Sequence, residues 1–195
     1  MTTLIISGKA GHGKDKTAEF MKQRLEEEGK KVIVCHYADA VKWVVKDFFN
    51  WNGEKDEHGR HLLQWIGTDV VRNKYPNFWV GIVSGLLSAF EEAKLFDVAI
   101  IPDARFENEV EVTMDTLPDS FCIRVERKDA EGNDWVNPAL TEEQRQHPSE
   151  TSLDDYGFDY VIHNDEGLET LHESALSVLR DLGLIEGEQY AIKRT

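Results

Sequence analysis

Residues Leu4–Thr17 read LIISGKAGHGKDKT, and the fold turns on them. The apolar run Leu4-Ile5-Ile6 stops at Ser7. Gly8-Lys9-Ala10-Gly11-His12-Gly13-Lys14 follows, and after it Ala18, Met21 and Leu25 recur at helical spacing. This is strand, glycine-rich loop, helix, with the spacing of a phosphate-binding loop, G-x-x-x-x-G-K. The glycines reach backbone angles closed to other residues. Their N–H groups and the helix N-terminus can converge on an anion. Lys14 would reach the outer phosphates. Asp15 stands where Ser or Thr usually ligates magnesium, and a carboxylate is also a hard oxygen ligand. Lys16 replaces the hydroxyl expected next, and Thr17 comes one position late. A plain glycine-rich turn is the weaker reading, because strand, loop, lysine and helix are all in register.

The chain has 195 residues, 41% of them hydrophobic, enough for one domain with its own core. No apolar run is long enough to span a membrane, and the N-terminus lacks a signal-type pattern. The two cysteines, Cys35 and Cys122, fall in apolar runs and read as core residues of a reducing compartment, which points to the cytoplasm. A formal net charge of −15 argues against binding a nucleic-acid polymer. It leaves room for a small phosphate ligand at the local cluster of Lys9, Lys14 and Lys16.

In chain order, a helix is expected from Lys14 to Glu28, with Glu26 to Glu28 solvated and Gly29 as its stop. Val32–Tyr37 reads as a strand. Asp39 is placed to cap a helix with Val41, Val44, Val45 and Phe48 inward. Asn50–Arg60 reads as a loop. A helix follows over His61–Asn73, striped by Leu62, Trp65, Ile66 and Val70. Another carries Phe78, Ile82, Val83, Leu86 and Phe90 on one side. Asp97–Ile101 is a continuous apolar strand closed by Pro102-Asp103, as in a parallel sheet buried on both faces. Phe106–Met114 is a short helix, Ser120–Val125 and Phe158–Ile162 are strands, and Leu168–Leu182 is a last helix stopped by Gly183. Lys128–His147 is polar and broken, the pattern of a lid. The tail from Leu184 has no clear assignment. Strands alternating with helices predict an α/β fold with a mostly parallel sheet. Its ligands belong at the carboxyl ends of the strands, where Ser7 to Asp15, Asp39, Asp103 and Arg105 converge.

Asp103, ending an apolar strand, is either a second magnesium-associated acid or a capping aspartate. Arg105 either binds a substrate phosphate or lies exposed. Glu107 and Glu109 either recognise a base or ribose or decorate a helix start. Asp39 and Lys42 form at least an i,i+3 ion pair. Arg72 with Trp79 could hold a phosphate and a base, whereas Trp65 reads as core. Arg124, Arg127 and Arg145 bracket the lid. His147-Pro148-Ser149-Glu150 precedes a short helix, and no credible ligand set makes His147 a zinc site.

Several motifs together resemble the deoxynucleoside monophosphate kinases of bacteriophages, within the adenylate-kinase-like P-loop kinases. They are GKAGHGKD (Gly8–Asp15), YADAVK (Tyr37–Lys42), GTDVVR (Gly67–Arg72) with Phe78-Trp79, PDARFENEVE (Pro102–Glu111), HPSE (His147–Glu150) and DYVIHND (Asp159–Asp165). The resemblance implies a P-loop fold with a five-stranded parallel sheet, a monophosphate-binding segment over 38–80 and a lid over 126–150. It implies transfer from ATP with Mg2+ to a deoxynucleoside monophosphate. Lys9, Gly11, His12, Gly13, Lys14, Asp15, Lys16 and Thr17 would serve ATP. Asp39, Lys42, Arg72, Trp79, Asp103, Arg105, Glu109 and Glu150 would serve the acceptor. Lys14, Asp15, Asp103, Arg105 and Arg127 would act in transfer, and Asp15 and Asp103 would hold the metal. A phage protein would work in the host cytoplasm, and a homodimer is one possible assembly. Another phosphorylated acceptor, of dephospho-coenzyme A or phosphomevalonate type, and a non-catalytic nucleotide-binding module are the rival readings.

Overall fold

The computed structural model describes residues 1–54 and 56–187. These residues form a five-stranded sheet in the order β2-β3-β1-β4-β5, with every neighbouring pair parallel. The strands are β1 (Thr2–Ser7), β2 (Val32–Val34), β3 (Val98–Ala104), β4 (Ser120–Glu126) and β5 (Tyr160–His163). Side chains alternate across a strand. Leu4 and Ile6 therefore pack with the helices α1 (Lys14–Glu27) and α8 (Leu168–Asp181). Ile5 packs on the opposite face with α4 (Phe78–Glu92) and α5 (Glu107–Thr116). Both faces are covered, which is why the strands read as unbroken apolar runs. Cys35 and Cys122 are free thiols, Cys122 fully in the core. No helix among the described residues is long and apolar enough to cross a membrane.

A smaller cluster holds the connection between β2 and β3. Val41 and Val45 of α2 (Tyr37–Phe49), Leu62 of α3 (Glu57–Gln64), and Trp51, Ile66 and Trp79 pack together, apart from the two cores on the sheet. Here the structure departs from the expected elements. The second strand ends at Val34, and Tyr37 opens α2 instead of closing the strand. The Asp103 carboxylate accepts hydrogen bonds from the Tyr37 and Ala38 N–H groups at 3.0 and 3.1 Å, so the helix starts there. Asp39 is thus not the cap but a first-turn residue. Phe48, expected inward, is exposed.

The region from Asn50 to Arg60 is not loop throughout: Asp56 caps α3, whose first residue is Glu57. The expected helix over His61–Asn73 splits. Its second half, Trp65–Arg72, is wound as a π-helix. The wider turn shifts the inward face, so Ile66 is buried while Trp65 and Val70 are 41% and 44% exposed, against the core reading of both. In α4 the buried stripe is Trp79, Val80, Val83 and Leu87, and Phe78, Ile82 and Leu86 face outward. That helix is apolar on nearly every side, so spacing does not choose the face. The Trp79 indole N–H chooses it by donating to the Gly67 carbonyl at 2.9 Å.

β3 runs on through Pro102 and Asp103, past the expected stop, because the ladder to β1 slips between Ile5 and Ser7 and accommodates the proline. The last strand begins at Tyr160 and not at Phe158, since the Asp159 carboxylate and amide are engaged with Cys122. The polar stretch after β4 contains α6 (Glu142–Arg145), and the HPSE turn forms α7 (Pro148–Thr151), capped by His147. The end of the tail, from residue 188, lies outside the described residues.

Candidate active site

The loop between β1 and α1 owes its path to its glycines. Gly8 has φ +152°, and a Cβ there would overlap the Val125 carbonyl oxygen. Gly11 has φ +84°, and a Cβ would lie 2.6 Å from the Trp135 ring. The indole of Trp135 thus roofs the loop directly. The His12 ring joins this contact, its Nε2 lying 2.9 Å from the Trp135 carbonyl oxygen. Burial lowers the His12 pKa, and because a carbonyl oxygen can only accept, Nε2–H is the donor in this contact. Asn164, just past β5, donates to the His12 carbonyl at 2.9 Å.

Lys14 is 7% exposed and donates to the Lys9 carbonyl at 3.0 Å. Burial and the neighbouring Arg105 cation push its amine down from 10.5 to about 7, against the opposing pull of Glu150 and Asp15. Asp15 is exposed at the mouth of the site. Lys9 pairs with Asp154 at 3.0 Å and Asp134 at 3.4 Å. Two residues in the first turn of α1 are engaged elsewhere. Lys16 pairs with Glu19 at 2.9 Å, and Thr17 is fully buried and donates to the Gly13 carbonyl at 3.1 Å.

Facing the loop is a cleft of about 630 Å³. Ala10, Gly11, Lys14 and Asp15 form one wall; Lys42, Arg72, Trp79, Asp103, Arg105 and Glu109 stand among the residues of the other. A cleft of this size suits a drug-sized or nucleotide-sized molecule. Its apolar and aromatic lining includes Val41, Leu63, Trp79 and Phe106. Asp39, half in solvent, pairs with Lys42 at 2.7 Å, the local ion pair that the spacing predicts.

Glu109 is the most heavily engaged group. It is 3% exposed. One oxygen meets the Arg72 guanidinium at 2.5 Å, and the other accepts the N–H groups of Arg105 and Phe106 at 2.8 and 3.2 Å. Burial raises its pKa while Arg72 and the Arg105 N–H draw it back. Glu109 therefore fastens both Arg72 and the start of α5. The face of Arg72 lies 3.8 Å from the centre of the Phe106 ring. Arg105 donates to Glu150 at 2.6 Å and to the Ser149 carbonyl at 3.2 Å.

The cleft thus gathers Lys14, Asp15, Lys42, Arg72, Trp79, Asp103, Arg105 and Glu109 from segments far apart in sequence. It does not gather Arg127, which stacks on the Trp135 ring at 4.4 Å. Arg145 lies in a second cavity of about 300 Å³ that Ala10 also lines. Sequence reasoning passed over Trp135, Asp154 and Asn164. A lone tryptophan in a polar lid was the signal for the first, and the end of a parallel strand was the signal for the last.

The comparisons agree with this geometry. A phosphomevalonate kinase of Drosophila melanogaster is 28% identical, over 93% of this chain and 96% of its own length. A putative deoxynucleotide monophosphate kinase of Acanthamoeba polyphaga mimivirus is 22% identical over 91% and 95%. Among solved structures, a sugar kinase of Janibacter sp. HTCC2649 superposes with a TM-score of 0.54 at 15% identity, covering 96% of this chain and 99% of that one, a likeness of fold. The family model for deoxynucleotide monophosphate kinase matches residues 25–175, most of the chain. The chain therefore belongs to the deoxynucleotide monophosphate kinase family and is a phosphotransferase.

Proposed function

We propose that this kinase transfers the γ-phosphoryl group of ATP to the phosphate of a deoxynucleoside monophosphate. The observation that carries the reading is the single cleft that has Lys14 and the loop on one wall and Arg72, Arg105 and Lys42 on the other. An acceptor that is already an anionic phosphate needs no strong general base. Alignment and charge neutralisation suffice. Lys14 would hold the charge of the group in transfer. Arg105 and Arg72 would fix the acceptor phosphate, and Trp79, Leu63 and Val41 would flank the base. Asp15, open to the cleft, fits a hard divalent cation. Asp103 is the less ready ligand, because both its oxygens cap α2. A magnesium ion held at Asp15 would supply charge neutralisation to the phosphates. In this reading residues 38–80 are the monophosphate-binding segment and 126–150 the lid, with Trp135 its contact to the loop.

The name of the Drosophila relative favours one alternative acceptor, phosphomevalonate. ADP release from ATP and magnesium, with each deoxynucleoside monophosphate and with phosphomevalonate added separately, decides between them. Stimulation by a deoxynucleoside monophosphate, with its diphosphate formed, is the expected result. Stimulation by phosphomevalonate alone would move the assignment, and binding of ATP without any acceptor-dependent ADP would reduce the protein to a binding module.

The depressed Lys14 pKa gives a second expected outcome. At pH 8.5 the amine is mostly neutral, and a polyphosphate favours its charged form. ATP binding should then take up about one proton per site, a pH at which the nucleotide phosphates are already ionised. Calorimetry in two buffers of different ionisation enthalpy measures the uptake. It should fade by pH 6 and vanish in Lys14→Met.

A further inference from the structure

Glu150 stands between the loop and the acceptor wall. One carboxylate oxygen accepts the Ala10 N–H of the phosphate-binding loop at 2.8 Å, and the other accepts Arg105 at 2.6 Å. The side chain is 12% exposed. Its segment is tied on both sides. The His147 ring caps α7 through the Ser149 N–H at 3.2 Å, and its other nitrogen lies 3.2 Å from the Gln64 amide of α3. The HPSE turn therefore touches the loop, the acceptor arginine and the monophosphate-binding segment at once.

A loop N–H has one hydrogen to give, and Arg105 faces the same carboxylate with the group assigned to the acceptor phosphate. A phosphoryl oxygen arriving between Ala10 and Arg105 meets a resident anion, and like charges at that separation repel strongly away from bulk water. Resting on the kinase reading above, we propose that Glu150 is an internal competitor for phosphate: its carboxylate holds the Ala10 N–H and Arg105 together and must swing out, taking the HPSE turn with it, as phosphate enters. It is a positioning residue. It sets the affinity of the site for anions and couples their arrival to the segment joined to Gln64.

The probe is inorganic tripolyphosphate without magnesium, titrated calorimetrically into wild type and Glu150→Gln, which keeps the shape and loses the charge. The variant should bind roughly tenfold more tightly, the loss of one charge-assisted competitor. Equal or weaker binding, as a residue that grips substrate would give, overturns the proposal. Wild type alone supplies a second measurement: amide hydrogen exchange over residues 149–152 should speed up with tripolyphosphate, and unchanged or slower exchange overturns the proposal. The ADP assay separates this from the kinase reading. An inactive wild type whose Gln variant still binds tripolyphosphate more tightly leaves the competition standing and removes only the acceptor assignment. An active wild type with no gain in the variant removes only the competition.

Discussion

Lys14→Met should lower turnover by roughly 10³-fold or more while leaving the melting temperature at or above that of wild type. The first half follows from placement. Lys14 is the loop's cation on the cleft, and the neighbouring cation, Arg105, is assigned to the acceptor phosphate. The lysines on either side are directed elsewhere, Lys9 to Asp134 and Asp154 and Lys16 to Glu19. The second half follows from burial. Methionine fills the space of the lysine stem, and the Lys9 carbonyl keeps the His12 N–H as a donor at 3.2 Å. What disappears is a desolvated charge. Below about pH 7 that charge is present in both folded and unfolded wild type, and its burial costs stability in full. Between about 7 and 10.5 the folded protein has released the proton and the unfolded chain still holds it, so the cost is relieved as pH rises. The stability advantage of the Met variant should therefore be greatest at pH 6 to 7 and shrink toward pH 10. Denaturant titrations at both ends measure it. Near-normal turnover would remove Lys14 from the mechanism, and an advantage that grows with pH would contradict its buried charge.

What could be read from the sequence was what is local. A strand, a glycine loop and a helix within fourteen positions fix one another, so the register of Gly8 to Lys14 needed no tertiary information. The same holds for the buried strands, whose apolar runs have no other use. Long-range commitments were illegible. Asp103 was open between a metal ligand and a cap, and the helix it caps begins 66 positions earlier, at Tyr37. Helix α4 shows two apolar stripes, and only the bond from Trp79 to Gly67 picks the inner one. Trp65 lost its inward place to a π-turn, whose extra residue leaves no mark in hydrophobic spacing. Many of the residues named for the site line one cleft, but spacing does not show which of them are already engaged there. Glu109 lines the cleft, yet its oxygens are occupied by Arg72 and two backbone N–H groups.

That occupancy makes Glu109 the other position of large effect. Glu109→Ala should cost about 3–5 kcal/mol of folding stability. The alanine leaves Arg72, only 15% exposed, without its carboxylate, and strands the Arg105 and Phe106 N–H groups at the start of α5. Among the described residues, stacking on Phe106 and a long contact to Asn108 at 3.4 Å would be left to hold the guanidinium. Burial raises the Glu109 pKa against the pull of Arg72 and the Arg105 N–H, and a buried pair of this kind costs far more to break than it contributes when intact. The double variant Arg72→Met/Glu109→Gln separates these roles. Its glutamine still accepts the two backbone N–H groups, and its methionine leaves no unpaired charge, so it should be more stable than Glu109→Ala despite carrying one more change. Both variants should bind the acceptor poorly, since neither presents an anchored Arg72 to the cleft. Urea unfolding of the three proteins, with acceptor KM measured alongside, provides the comparison. A Glu109→Ala loss under about 1 kcal/mol, or a double variant less stable than the single, would mean that Arg72 finds another anchor.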